Sequence, residues 1–439
     1  MAKLGEYIEK IHIPFSNYET DEILKPYGVS NVNGIVKTDH VRSSDLSKYL
    51  IIKPNYFAYN PYRINVGSIG LTPSNIMGLV SPAYIVFKTK EDLLIPELLL
   101  KILKSKHGLF LINKFSRGTV RKALRFDDLC DMDINIPSYN EQDKILKKMV
   151  KFDEVNSYIS NELTNQRNLR SKLNQSILQD AIQGHLTKDW REENQNIEPA
   201  SVLLERVKAE KEQLIADKKI KKEKTLPSIK KEEIPFELPD KWVWCRLGAI
   251  SIYINGKGFR SSDFQKNNGI KCIKITNAGV GKIIPTDDTL PLHFKEKYSD
   301  FLVYKNDIVI ALTRPYISEG LKVSLCSTEY NESLLNQRVA TIKPLFNTNK
   351  YIYNFLRTNF VLNGYKAEFE SKGQQPNLKS EHITNLLLPL PPIDEQIEIV
   401  KKIESLMQKC DQLEEEIKKS ESNVEMLMQS VLKESFNNQ

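Results

Sequence analysis

Apolar side chains recur along the last part of the chain at Ile399, Ile403, Leu406, Cys410, Leu413, Ile417, Ser420, Val424, Leu427 and Val431, in alternating steps of four and three. Nine of these ten are apolar, with Cys410 counted as a small hydrophobe. The same steps occur earlier at Ile145, Met149, Phe152, Asn156, Ile159, Leu163, Gln166, Arg170, Leu173 and Ile177, of which seven are apolar. Alternating four-three spacing keeps one stripe of a helix facing a partner helix, the signature of a coiled-coil seam. Neither run contains an interior Gly or Pro, and Asn140 and Asp394 are suited to cap their N-termini. Helices of about 40 residues would be roughly 60 Å long. Elements that long and only half apolar are predicted to be struts, not core helices.

The two runs are copies of one unit. Offsetting the chain by 254 residues aligns positions 137–182 with 391–436 without a gap, and 11 of the 46 pairs are identical. Unrelated segments would share roughly three, so the match is an internal duplication. Each strut follows a β-rich segment, giving the order domain, strut, domain, strut. Two equivalent struts in one chain favour antiparallel pairing within it over pairing with another chain, with a head at each end and approximate two-fold symmetry. Asn156, Gln166 and Arg170 would then fix register or mark where another protein docks.

The heads differ from the struts in period. Runs such as YLIIK, AYIVFK, KCIKI, DIVIAL and RVATIKP predict strands, with turn-rich pieces INGKGF, TNAGVGK and SKGQQPN between them. Alternating segments at 124–137 and 378–391 predict a strand just before each strut, and short helices are expected at IPELLLKILKSKHG and NKYIYNFLRTNF. The expected boundaries are 1–137 (first head), 138–185 (first strut), 186–240 (a linker with a helical middle), 241–391 (second head) and 392–439 (second strut). The linker's KKIKKEK reads first as a solvated helix end, and second as a phosphate-contacting patch.

Composition narrows the function classes. A chain of 439 residues suits two to four domains. No apolar run is long enough to span a membrane, and MAKLGEYIEK lacks a signal-peptide core, so the cytoplasm is expected. Five cysteines stand singly, which argues against a disulfide framework or a zinc site. A net charge of +7 permits a nucleic-acid partner without requiring one.

No motif supplies chemistry. Asn60-Pro61-Tyr62 lacks the second proline of the adenine-methyltransferase motif, and 254–258 lacks the aromatic of a cofactor loop. Glu370-Ser371-Lys372 resembles half of a nuclease site with no Pro-Asp partner, and a phosphate-binding G-x-x-x-x-G-K-[ST] is absent. The chain reads as a protein that holds other molecules.

Several stretches carry a resemblance: IEPASVLLERVKAEKEQLI, IPFELPDKWVWCRLGAI, GQQPNLKSEHITNLLLPLPPIDEQIEIVKKI, and AIQGHL closing the first strut. Together they resemble the specificity subunit of type I restriction–modification enzymes over nearly the whole length. The resemblance implies an α+β fold in which two mixed α/β, β-rich target recognition domains are separated by two long antiparallel helices. It implies double-stranded DNA as ligand, with each domain reading half of a bipartite target. It further implies two modification (adenine-N6 methyltransferase) subunits and restriction (translocase and nuclease) subunits as partners. S-adenosylmethionine, ATP and magnesium belong to those partners and no cofactor to this chain, which is then a non-catalytic subunit. The first head starts without the L-P-x-x-W-x-x-x-x-L-G lead-in found at 238–248.

Groove readout uses paired donors and acceptors, chiefly on Arg, Lys, Asn and Gln. In the first head the candidates are Arg63, Lys114, Arg117, Arg121, Lys122 and Arg125. In the second they are Lys257, Arg260, Arg314, Arg338, Lys372, Gln374, Gln375 and Asn377. Leu378 is expected in the core. The competing readings are an enzyme with a degenerate methyltransferase site, a coiled-coil adaptor that binds no nucleic acid, and the specificity part of a related type IIB/IIG-like methyltransferase–nuclease.

Overall fold

Both duplicated runs are helical in the computed structural model, which describes residues 2–38, 45–118, 122–221, 224–370 and 375–437. The chain divides into two units, Met1–Leu163 with Lys419–Gln439, and Thr164–Lys418.

The first unit begins with β1 (Ala2–Lys3), β2 (Ile8–Ile11), β3 (Lys25–Ser30), β4 (Gly34–Lys37), β5 (Leu50–Ile52), β6 (Phe57–Tyr59), β7 (Ile69–Leu71), β8 (Gly78–Val80) and β9 (Ile85–Thr89). There follow α1 (Pro96–Lys104), α2 (Lys106–Phe115), α3 (Phe126–Cys130), β10 (Asp133–Ile134) and α4 (Tyr139–Ile182), the first strut. One sheet has the order β2-β9-β6-β7 and is antiparallel; the other, β4-β3-β8-β5, contains the parallel pair β3–β8. Phe57 and Phe87 stack at 4.6 Å beneath α1, whose Leu98, Leu99, Ile102 and Leu103 share the same core. Burying each such side chain contributes roughly 2 kcal/mol. Ile145 and Met149, in the first turns of α4, pack into this core, so the strut is rooted in its own head.

The second unit runs through α5 (Lys188–Glu193), α6 (Ala200–Ala216), β11 (Val243–Arg246), α7 (Leu247–Ile250), β12 (Ser251–Asn255), β13 (Gln265–Lys266), β14 (Ile270–Ile273), β15 (Asp288–Leu290) and α8 (Phe294–Lys297). It continues with β16 (Leu302–Val303), β17 (Ile308–Ala311), β18 (Tyr316–Ile317), β19 (Gly320–Leu321), β20 (Val323–Leu325), β21 (Ser333–Leu335) and β22 (Val339–Pro344). The last elements are α9 (Asn349–Leu356), α10 (Asn359–Glu370), α11 (Ser380–Thr384), β23 (Leu387–Leu390) and α12 (Ile393–Asn437), the second strut. Its antiparallel sheet is β12-β22-β17-β20, and its other sheet, β13-β15-β14-β21-β16, contains the parallel pair β14–β21. Apart from the added edge strand β13 and the β18–β19 pair, the two heads therefore share one topology, which their sequences do not announce.

The duplication reaches further back than the aligned struts. Residues 254 apart also bound α3 and α11, and β10 and β23 start 254 apart. The segments expected as strands at 124–137 and 378–391 thus each contain a short helix before a short strand. β1 pairs with β10 as β11 pairs with β23, so Leu4-Gly5 in the first head occupies the place of Leu247-Gly248 in the second.

Inside the second unit the struts run antiparallel. Arg170 of α4 donates through Nε to the carbonyl of Cys410 in α12 at 2.8 Å, through Nη1 to Glu414 at 3.2 Å, and through Nη2 to Asp411 at 3.1 Å. Toward the other end, Thr187 lies against Glu395 and Lys402 reaches the carbonyl of Leu186. Ile177, Leu178, Ala181 and Ile182 pack with Ile399, Ile403 and Cys410 in the core of this head.

The seam is phased differently from the expectation. Met149, Leu163, Ile177, Ile399, Ile403 and Ile417 are buried and Ile145, Phe152, Ile159, Leu406 and Val424 half-buried, but Leu173, Leu413 and Leu427 stand exposed. In the second unit Arg167, Arg170 and Asn174 turn inward on α4, and Glu414 on α12. Pairing Arg170 with Glu414 shifts the stripe by one residue, and Leu173 and Leu413 are the side chains displaced outward. The side chain of Val431 lies outside the described residues. The helices also begin two residues earlier than expected: Asn140 and Asp394 lie in the first turn, and at α4 Glu141 accepts from the Ser138 amide at 3.1 Å, the acidic half of a capping box. No helix among the described residues is long and apolar enough to cross a membrane.

Candidate nucleic-acid interface

In the second head, four loops far apart in sequence are tied together by their backbones. Residues 256–258 follow β12, and Lys257 donates its amide to Leu335 at 2.8 Å and bridges to Asn336. The approach is close: a Cβ on Gly256 would fall 2.0 Å from the Asn336 carbonyl, so only glycine fits there. The loop after β17 is held on both sides. Leu312 donates to Arg338 O at 2.9 Å and accepts from Leu378 N at 2.7 Å, while Arg314 N donates to Pro376 O at 3.0 Å. The sequence candidates Arg314, Arg338, Gln375 and Asn377 are thereby gathered on one loop cluster, and all four are exposed. Leu378, beneath it, is buried as expected.

Two other candidates behave differently. The Lys257 ammonium lies 5.5 Å from the Tyr298 ring and 6.0 Å from Phe301, so its charge is partly engaged by the head's own aromatics. Arg260 is exposed beside this cluster, its amide closing a turn onto Asp263 at 2.9 Å. Lys372 and Gln374 lie outside the described residues. Sequence reasoning missed Gln337, exposed next to Arg338 and facing Gly258. A single glutamine in a loop carries no signal until Gly258 is seen to lie against it.

The first head repeats the arrangement. Arg117 and Ala123 exchange backbone hydrogen bonds at 3.0 and 2.9 Å and so lie side by side. Leu124, the residue 254 positions before Leu378, donates to Pro61 O at 3.0 Å and sets Tyr62-Arg63 beside that bridge. Arg63, Lys114, Lys122 and Arg125 are exposed, and Arg121 lies outside the described residues. Arg117 is not a free cation: its Nη2 is 2.7 Å from Asp128, a buried carboxylate. Both heads thus present exposed basic side chains near the end of an equivalent inner strand, β6 and β17, and the second head adds the amides of Gln375 and Asn377.

Below each cluster the duplicated Glu-Gln anchors the strut. Gln142 is buried, donates to Leu93 O at 2.8 Å and Pro137 O at 3.0 Å, and accepts from Ile95 N at 2.8 Å. Gln396 donates to Pro391 O at 2.8 Å. Glu395 is fully buried and accepts from Trp242, Thr187 and Arg191, whereas its counterpart Glu141 is exposed.

Comparison with known proteins points one way. The family model described as type I restriction modification DNA specificity domain matches residues 16–166 and 239–420. The chain is similar to the type I restriction enzyme EcoAI specificity subunit of Escherichia coli, 38% identical over 249 residues, which are 56% of this chain and 41% of that protein. It is similar to the MjaVIII specificity subunit of Methanocaldococcus jannaschii, 31% identical over 208 residues, 46% of this chain and 48% of that protein. The chain spans about half the length of these curated relatives. One solved chain, described under "Structural basis underlying complex assembly and conformational transition of the type I R-M system", has the same fold. It matches with a TM-score of 0.67 over 99% of this chain and 96% of its own, at 15% identity.

Proposed function

Because this chain belongs to the type I restriction–modification DNA specificity family, we propose that it recognises a bipartite target in double-stranded DNA, one half-site per head. The observation that carries this reading is that one topology occurs twice with different side chains on the equivalent loops. A shared scaffold gives both heads the same way of docking, and the differing loops give each its own base preference. Exposed Arg, Lys, Asn and Gln on such loops suit phosphate and base-edge contacts alike.

The domain boundaries of this reading are 1–137, 138–185, 186–240, 241–391 and 392–439. The struts scaffold two modification subunits, and through them restriction subunits. Leu169, Leu173 and Leu413, exposed on the helices of the second unit, give an apolar surface for such a partner. Methyl transfer and ATP-driven steps reside in those partners, and the complex works in the cytoplasm. The test is to assemble the chain with its modification subunits and map methylated adenines in exposed DNA. A motif of two specified blocks separated by unspecified bases is expected. A single continuous motif, or methylation without sequence preference, would refute two-headed recognition.

A further inference from the structure

We infer that Arg314 is the residue of the second head that reads a guanine; this rests on the proposed DNA reading and assigns one position of it. Arg314 has a φ of +48°, in the left-handed region that side chains other than Gly, Asn and Asp seldom adopt. It also precedes Pro315, and a residue before proline is normally restricted to extended conformations. Such a conformation persists only where the surroundings impose it. Here they do: the hydrogen bonds from Leu312 to Arg338 O, from Leu378 to Leu312 O and from Arg314 to Pro376 O clamp the loop from both sides.

What the clamp holds out is a guanidinium. Arg314 is exposed, and among the described residues its side chain makes no hydrogen bond or ion pair. Arg117 in the first head contrasts with it, since that guanidinium is already taken by Asp128. A pre-positioned, unengaged arginine loses less freedom on binding than one on a mobile loop. Its planar fork matches guanine O6 and N7, the commonest specific contact in the major groove. Gln375 and Asn377, on the loop bridged to it, add amides that pair with adenine N6 and N7. Arg314 therefore sits where one guanine, flanked by a base read by an amide, would be specified.

The experiment selects bound duplexes from a randomised pool, using the full chain assembled with its modification subunits. Wild type, Arg314→Lys and Arg314→Gly are compared. Glycine removes the guanidinium but suits the backbone, so this variant separates readout from loop shape. Both variants are expected to relax a single G·C position in one half-site about tenfold or more, leaving every other position as specified as in wild type. A preference unchanged in the glycine variant would overturn the inference, as would weakening that is uniform across sequences, the mark of a phosphate contact. Loss of all selection by both variants would show that Arg314 supports the loop as a whole, and would overturn it too. If the wild-type complex itself selects no motif, the functional reading fails, not this assignment alone.

Discussion

Trp242 donates its indole N–H to the fully buried carboxylate of Glu395 at 2.8 Å. Thr187 Oγ donates to the same group at 2.7 Å, and Arg191 completes it. Three segments distant in sequence thus meet at the first turn of the second strut. Removing the carboxylate strands a half-buried guanidinium and an indole N–H. Glu395→Ala is expected to destabilise the protein by about 3 kcal/mol. Glu141→Ala, at the equivalent exposed cap of the first strut, should cost clearly less. Chemical denaturation of both variants checks the contrast, and equal losses would contradict it.

The paired glutamines give a second asymmetry. All three hydrogen bonds of Gln142 end on backbone groups, whereas the buried Oε1 of Gln396 has no partner among the described residues. Gln142→Ala leaves the Ile95 amide and two carbonyls unsatisfied and should cost about 2 kcal/mol. Gln396→Ala relieves one unsatisfied atom while losing one bond, so its cost should be smaller. Midpoints of denaturant unfolding for the two variants report this order directly.

The polar seam is a third test. Arg170 and Glu414 are each about one-fifth exposed, so their pairing is only partly screened. Arg170→Ala alone should cost about 1–3 kcal/mol by leaving Glu414 without its main partner. Replacing both by leucine should change stability by less than about 1 kcal/mol, because an apolar pair of similar size fills the seam. A double variant as unstable as the single one would show that the ion pair itself holds the helices together.

Acid should loosen the strap at 227–233. Pro227 and Ser228 carbonyls and the Glu233 carboxylate all accept from Arg246, which is buried. The Lys230 amide, and then Arg246, hold the Glu233 carboxyl below its ordinary value of 4.5. The folded pKa is therefore lower than the unfolded one. The contribution is fully present above about pH 4.5 and is lost as pH falls through the folded value. Amide exchange at Lys230 should lose protection in that acid range, and Glu233→Gln should make protection independent of pH. Protection that stays flat in the wild type would contradict the assignment.

How legible this was in the sequence depended on range. The duplication is carried by the sequence itself, and the strands of YLIIK and RVATIKP are local patterns that appear where their period placed them, whereas the helix expected across IPELLLKILKSKHG breaks at Ser105 into α1 and α2. The seam had the right steps but the wrong phase, because Leu173 and Leu413 outweigh Arg167 and Glu414 in any count of apolar positions. Only the antiparallel partner, with Glu414 opposite Arg170, turns the polar residues inward. Parallel pairs such as β3–β8 join strands about 50 residues apart and leave no local trace. Of the candidate interface, the donors Arg314, Arg338 and Asn377 could be named from sequence, but the bridge between Thr313 and Asn377 that brings them together is a tertiary contact. Glu395 was missed as a hub, although its repeated Glu-Gln marked the place. Of the lead-in at 238–248 the first head shows only the Leu-Gly end, since Leu4-Gly5 takes the position of Leu247-Gly248, and that pair alone is too short to recognise in sequence.

Independent recognition by two heads is the central claim. It is tested most directly by replacing residues 1–136 with the corresponding head of another member of the family and mapping methylated adenines with the assembled complex. One block of the motif should change, while the block read by the second head stays as it was. A change in both blocks, or in neither, in a complex that still methylates DNA would contradict the account.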